Sequence, residues 1–251
     1  MNSNIFSIDF RTASYDVGGN GQISITSLLR YFQEAAHEHA NKLEVGFQKL
    51  QEQNLFWVLS AISLEIDNLP GFDELITVNT WPRGINKFYC LRDFLLYHNN
   101  KIVAKATSLW LLIDVKSKRI VRPERIIEGI DFFSDKRVFE DDFVPIDPIK
   151  EKKLVEERRT RYSDLDINRH VNNVRYVEWV LDTVHDVADN KQISSLIVQY
   201  LGEFVENDKT LIYSEIDNNT NEIKIEINRQ DGKIGIRALI GYSKLNLNTV
   251  F

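Results

Sequence analysis

The sequence predicts an α+β protein built from two halves of one plan, each a strand, one long helix and a meander of antiparallel strands. Three observations predict it. Apolar residues recur at three- and four-residue spacing in two stretches, residues 26–43 and 171–184, which is the period of an amphipathic helix. Elsewhere apolar and polar residues alternate, the period of a strand with one buried face. Strand-like runs follow one another without helices between them, so the βαβ alternation of a parallel sheet is missing.

In the first half, Phe6, Ile8 and Phe10 alternate with Ser7, Asp9 and Arg11, giving a strand. A Gly-rich turn at residues 17–21 follows; it lacks the Gly-Lys-Ser/Thr ending of a phosphate loop. Ile25, Leu28, Phe32, Ala35 and Ala36 form the first helical stripe. His37 and His39 stand two apart on it and face different ways, so no metal site is expected. Only strands are expected beyond it. The first, residues 56–66, carries its apolar side chains on one parity; residues 75–81, 88–97 and 101–113 continue, with Asn99-Asn100 as a turn.

The second half repeats the order. Residues 154–162 read as a strand, and the polar decapeptide DLDINRHVNN at 164–173 follows. Val171, Val174, Val177, Leu181 and Val184 form the second helical stripe. Strands are expected at 193–204, 209–216, 222–228 and 233–247, with Asn218-Asn219 and Asp231-Gly232 as hairpin turns. The helices echo each other as RYFQE at 30–34 and RYVEW at 175–179, an offset of 145. These patterns give an N-terminal domain at 1–133, a charged, proline-containing linker at 134–153 and a C-terminal domain at 154–251.

With 251 residues, 43% of them hydrophobic and 27% charged, the chain reads as an ordinary globular protein. A net charge of −6 disfavours a general nucleic-acid binder. A single cysteine, Cys90, allows no internal disulfide and suits a reducing compartment. The N-terminus lacks the features of a signal peptide, and the apolar run at 109–113 is too short to span a bilayer. A cytoplasmic protein is expected.

The decapeptide carries the chemistry. If residues 166–170 are extended, Asp166, Asn168 and His170 project to one side while Leu165 and Ile167 anchor the other. Asn172-Asn173 suits a helix start, whose free N–H groups would lie beside His170. No GxSxG elbow is present, so a carboxylate-activated water is the natural attacker. Glu203, in the apolar run LIVQYLGEFV, is the candidate base, since burial there would raise its pKa. Read alone, the decapeptide also suits plain capping, and Glu203 a strand-edge surface carboxylate.

The segments RTRYSDLDINRHVNNVRYVEW and LIVQYLGEF resemble the signature of the acyl-acyl-carrier-protein thioesterases of plants and bacteria. SYDVGGNGQISITSLLRYFQEAAHEHA, TWPRGINKFYCLRDF and KATSLWLLID extend the resemblance over nearly the whole chain. It implies two tandem hotdog domains and hydrolysis of the thioester of a fatty acyl-acyl carrier protein, releasing a free fatty acid. It implies that Asp166, Asn168, His170 and Glu203 are the catalytic set, with no cofactor and no metal. Phe204 stands where plant members carry a cysteine, so a Cys-His reading cannot hold, and Gln199 stands where many members carry glutamate. No plastid-type transit segment is read ahead of Phe6, so a bacterial type of member is expected. The first half lacks the DxNxH element and is expected to form the acyl pocket. The partner implied is acyl carrier protein, which is acidic as a class. Lys150, Lys152, Lys153, Arg158, Arg159 and Arg161 form a candidate docking patch. No nucleic acid and no stable membrane insertion are expected; a homodimer is left open, because hotdog surfaces often pair. The alternatives are a hotdog thioesterase acting on acyl-coenzyme A and a non-catalytic acyl-chain binding protein.

Overall fold

The computed structural model describes residues 5–130, 132, 135–140, 143–185, 191–217 and 220–244. The chain divides into two units, Met1–Asp142 and Phe143–Phe251. Each combines helix with a wholly antiparallel sheet, the mixed class expected.

The first unit runs β1 (Phe6–Arg11), α1 (Ile25–Lys42), α2 (Phe47–Glu52), β2 (Leu55–Ile66), β3 (Leu75–Asn86), β4 (Tyr89–His98), β5 (Lys101–Asp114) and β6 (Ile120–Val121). Its strands lie in the order β1-β3-β4-β5-β2, and β6 pairs with β5. Ser24 starts α1 by accepting the Ser27 N–H on its hydroxyl at 3.1 Å. The expected stripe is the buried one, with Leu28, Phe32 and Ala35 inside and the Phe32 ring 4.9 Å from Phe94 on β4. Burying Leu28 and Phe32 contributes roughly 1.5–3 kcal/mol each. Asn99 and Asn100 both have positive φ, the requirement of a tight hairpin turn.

Three expectations need correcting here. α2 was not expected; one turn and a half with a single buried residue, Leu50, leaves no periodic trace. β3 runs past Trp81 through Pro82 and Gly84, because a bulge there absorbs the proline. β2 does not keep one parity. A bulge between Leu59 and Ala61 inserts a residue, so Leu59 and Ile62 share a face.

The second unit runs β7 (Lys153–Arg159), α3 (Asn173–His185), β8 (Lys191–Tyr200), β9 (Lys209–Asp217), β10 (Glu222–Arg229) and β11 (Ile234–Lys244), ordered β8-β11-β10-β9-β7. β7 stops three residues before Tyr162, where a 3-10 turn at Tyr162–Asp164 begins. β8 ends at Tyr200 rather than at residue 204. The predicted Asn218-Asn219 turn, and the end of the last strand beyond residue 244, lie outside the described residues. Register places Ile223, Ile240 and Leu196 in one row and Ile227, Ile236 and Tyr200 in another on the same face. Tyr200 donates from its hydroxyl to the Asn173 carbonyl, so this face carries α3. Val174, Val177, Val180 and Val184 of α3 are buried.

The opposite face of each sheet is pinned by buried polar groups to the chain that joins the units. In the first, Trp81 donates its indole N–H to the Lys136 carbonyl at 3.0 Å. Asp93, 0% exposed, accepts the Thr107 hydroxyl at 2.7 Å and the Val138 N–H at 3.2 Å. In the second, Gln199 accepts the Ile146 N–H at 3.3 Å, and Arg237 donates to the Ile146 carbonyl. Glu226, 0% exposed, takes Arg237 at 3.0 Å and Lys152 as partners. Residues 135–140 and 143–152 therefore lie as straps, each held on its own unit.

The two units repeat at hydrogen-bond level. The bridge Leu165–Val171 matches Val17–Ile23, a constant separation of 148 residues. Asp166 N–H to His170 O at 2.8 Å matches Gly18 to Gln22 at 2.8 Å, and Asn172 N–H to Asp164 O at 2.9 Å matches Ser24 to Asp16 at 2.8 Å. The echo at 145 is thus out of register by three residues. Both helices bury a stripe of i, i+3, i+4 spacing, so a slip of nearly one turn preserves the pattern.

Candidate active site

Residues 166–170 are not extended. Asp166 N–H donates to the His170 carbonyl, Arg169 N–H donates to the Asp166 carbonyl at 3.0 Å, and Arg169 has φ of 62°. The segment is a tight hairpin clamped by the Leu165–Val171 bridge. The Asp166 carboxylate lies inside it, its Oδ1 accepting the Asn168 N–H at 2.8 Å and the His170 N–H at 3.2 Å. Parity is therefore not what relates the three residues. A carboxylate folded onto two backbone N–H groups does it, as Asx turns commonly do. Ile167, expected as an anchor, stands at the tip with 82% exposure. Asn168 is exposed beside it.

Asn172 caps α3, as expected, by accepting the Val174 N–H at 2.9 Å. Arg175 N–H donates to the Asn172 carbonyl at 2.9 Å. Two of the first-turn N–H groups are thus committed to Asn172, against the expectation that they are free. Among the described residues, the Asn173 N–H is left without a protein partner.

Glu203 reaches the hairpin from the chain after β8. Leu201 and Gly202 N–H both donate to the Gly235 carbonyl, at 2.8 and 3.0 Å, which ends the strand. A Cβ at Gly202 would stand 2.8 Å from the Ile234 carbonyl oxygen, so glycine is required. Phe204, 1% exposed, turns inward and packs its ring against Gly235, where a Cβ would fall 2.5 Å from its Cζ. The Phe204 carbonyl accepts the Val171 N–H at 2.8 Å, and Val205 bridges His170. Thr160 donates its hydroxyl to the Val205 carbonyl. With Phe204 inward, Glu203 faces outward and its Oε2 lies 3.4 Å from His170 Nε2.

The four sequence-derived residues are therefore gathered on one hairpin and one crossing strand end. The burial expected of Glu203 is absent: its side chain keeps 53% exposure. Of the residues flanking it, only Phe204 is buried; Leu201 and Val205 are themselves 43% exposed, so the apolar run leaves the core before it reaches Glu203.

Sequence reasoning missed Tyr176. It is 2% exposed, and its ring meets Trp179, Tyr200 and Phe204 edge-on at 5.3, 6.3 and 5.6 Å. Its hydroxyl accepts the Phe204 N–H at 3.0 Å. Burial pushes its pKa up, and the charges of Glu203, Asp208 and Asp166 add to that. A tyrosine between Val174 and Val177 in an apolar stripe was the available signal.

Two other candidates resolve differently. Phe204 leaves no thiol beside Glu203. Cys90 is on β4 of the first unit, where burial, with Glu124 nearby, pushes its thiol up to about 12. The basic cluster expected as a docking patch is smaller than its sequence suggests. Lys152 is committed to Glu226, and the Arg158 guanidinium lies 4.6 Å over the Trp179 ring. Lys150, Lys153, Arg159 and Arg161 remain exposed.

Comparison with known proteins identifies the family. Residues 3–130 match the acyl-ACP thioesterase N-terminal domain and residues 148–244 the C-terminal domain. A chloroplastic palmitoyl-acyl carrier protein thioesterase of Gossypium hirsutum is 30% identical over 214 residues, 79% of this chain and 52% of that protein. A dodecanoyl-[acyl-carrier-protein] hydrolase of Cinnamomum camphora is 28% identical over 79% of this chain and 56% of its own. The chain spans about half the length of these curated relatives. The crystal structure of an acyl-ACP thioesterase from Bacteroides thetaiotaomicron superposes with a TM-score of 0.80 at 24% identity, covering 95% of this chain and 98% of that one. The 12:0-ACP thioesterase of Umbellularia californica gives 0.83 at 22% identity, covering 97% and 98%. At those identities the two structures speak for the fold. Among the described residues no helix is long and apolar enough to cross a membrane. Two family domains in order, over nearly the full chain, place this protein in the acyl-ACP thioesterase family.

Proposed function

We propose that the protein hydrolyses the thioester of a fatty acyl-acyl carrier protein, releasing the fatty acid and ending chain elongation. The observation that carries this is the pairing of Glu203 Oε2 with His170 Nε2 at 3.4 Å, on a hairpin that also holds Asp166 and Asn168. A thioester carbonyl has weak resonance and is already electrophilic. The site needs to place a water, accept its proton and stabilise an oxyanion. Glu203 takes the proton as the water oxygen bonds to the carbonyl carbon. The oxyanion is met by His170, the Asn168 amide and the Asn173 N–H. As the carbonyl re-forms, the carbon–sulfur bond breaks and the carrier thiol leaves with the proton. Asp166 shapes the hairpin rather than reacting. A carboxylate half in water suits a base that must exchange water and products.

Each unit is read as a hotdog domain, 1–133 forming the acyl pocket and 154–251 the reacting groups, with 134–153 as the joining segment. The acidic acyl carrier protein is taken as partner, meeting Lys150, Lys153, Arg159 and Arg161. The single cysteine and the net charge of −6 support a cytoplasmic protein that binds no nucleic acid. The test is fatty-acid release from carrier-protein and coenzyme A thioesters of equal chain length. Release from neither rejects hydrolysis, and faster turnover of the coenzyme A thioesters rejects the carrier as partner.

A further inference from the structure

Glu203 is not held by a partner for its own carboxylate alone. Its position depends on the next residue. Phe204 has both backbone groups engaged: its carbonyl takes the Val171 N–H at 2.8 Å, and its N–H goes to the Tyr176 hydroxyl at 3.0 Å. The first bond ties the strand end to the hairpin. The second ties it to α3. The Phe204 N–H is part of the peptide that follows Glu203, so the bond to Tyr176 sets that peptide's plane and with it the direction in which the Glu203 side chain leaves the backbone, while the carbonyl bond holds the next peptide against the hairpin. Tyr176 is itself rigid, wedged among Trp179, Tyr200 and Phe204.

The chain contains its own control. The first unit has the same loop, displaced by 148 residues at the hairpin. There the Ile23 N–H donates to the Pro70 carbonyl at 2.8 Å, as Val171 does to Phe204, and Thr12 donates to Gly71 as Thr160 does to Val205. Pro70 thus occupies the place of Phe204, Leu69 that of Glu203, and Leu28 that of Tyr176. Proline has no N–H to donate. Where the glutamate is absent, so are the N–H and the hydroxyl that receives it. The carbonyl half of the arrangement, which the fold needs, is present in both units.

We propose that Tyr176 is a positioning residue of the hydrolytic site: by accepting the Phe204 N–H, its hydroxyl fixes the backbone that holds Glu203 against His170. This rests on the reading of Glu203 and His170 as the reacting pair. Tyr176→Phe keeps the ring and removes the acceptor. The expected result is a fall in kcat of about tenfold to a hundredfold, with KM for acyl carrier protein unchanged, since a small displacement of a reacting group costs that much. In the substrate-free protein the imidazole ¹⁵N resonances of His170 should move in the same direction as they do in Glu203→Gln. A folded Tyr176→Phe protein with unshifted His170 resonances, or with kcat per folded molecule unchanged, overturns the proposal. Should Tyr176→Phe not fold, the pair Tyr176→Leu with Phe204→Pro copies a combination the first unit already folds with, and the same two readouts decide. If the wild-type protein releases no fatty acid, the hydrolytic reading fails, while the resonance comparison still tests the positioning.

Discussion

At the scale of single residues, the candidate site separates what is fixed from what is wet. Asp166 is tied into backbone N–H groups, whereas Glu203 and His170 reach each other in partial contact with solvent. Removing the base or the imidazole should therefore abolish chemistry without disturbing the fold. Glu203→Gln and His170→Ala are expected to lower kcat by about 100- to 1000-fold, with binding of acyl carrier protein retained. Single-turnover release and a direct binding assay check this; near-normal turnover in either variant removes that residue from the mechanism. Cys90→Ala should keep full activity, because a thiol pushed up to about 12 is protonated at neutral pH and lies in the other unit's sheet. Among the exposed cations, charge reversal of Arg159 with Arg161 should raise the apparent KM for carrier-bound substrate and flatten its salt dependence. A KM that is unmoved at low salt would count against that docking face.

At the scale of elements, one hairpin and one pair of glycines set the geometry. Gly235 leaves room for the Phe204 ring, and a Cβ there would fall 2.5 Å from its Cζ. Gly235→Ala must push Phe204 outward, which also swings Glu203. Expected are a stability loss of about 1–3 kcal/mol, the range for overpacking, and a larger fractional loss of kcat than of stability. Thermal unfolding beside steady-state kinetics separates the two. The four candidate residues could be picked out in the sequence; how they converge could not. Extended alternation puts Asp166 and His170 on one side and a hairpin folds one onto the other, and the sequence signal is the same for either. The Asp side chain chooses between them by capping two N–H groups that an extended strand would send to a neighbour. Glu203 was misjudged as buried for a related reason. Its apolar neighbours suggested a strand, yet Gly202 stops the strand at Tyr200 and leaves Glu203 on the outer side. The main strands and both long helices were legible because each buries one face with a regular period. α2 was not, since six residues with one buried leucine carry no period.

At the scale of the whole molecule, the repeat and the straps show which polar residues hold backbone in both units. Thr12 and Thr160, or Asp16 and Asp164, recur in both loops and hold backbone. The buried carboxylates Asp93 and Glu226 pin the joining chain. Acid stability should depend on a different group, His39. It is 3% exposed at the end of α1, with Phe6 stacked 5.4 Å away and its Nδ1 3.0 Å from Arg92 Nη1. Neutral Nδ1 accepts that N–H, whereas protonated Nδ1 would have to face a guanidinium. Burial first, then the charges of Arg92 and Lys42, hold its pKa down to about 4, against 6.5 for an unburied histidine. Between those values the unfolded chain binds a proton that the folded one refuses. Stability from this group is fully present above pH 6.5, declines as the pH falls through that window, and is spent below about 4. At roughly 1.4 kcal/mol per pKa unit the loss is on the order of 3 kcal/mol. His39→Gln keeps an acceptor for Arg92 and does not titrate. Denaturant unfolding at a series of pH values should show the wild-type protein losing stability relative to His39→Gln from pH 6.5 to 4. Parallel curves through that window would mean that His39 accepts a proton as readily in the folded state as in the unfolded one.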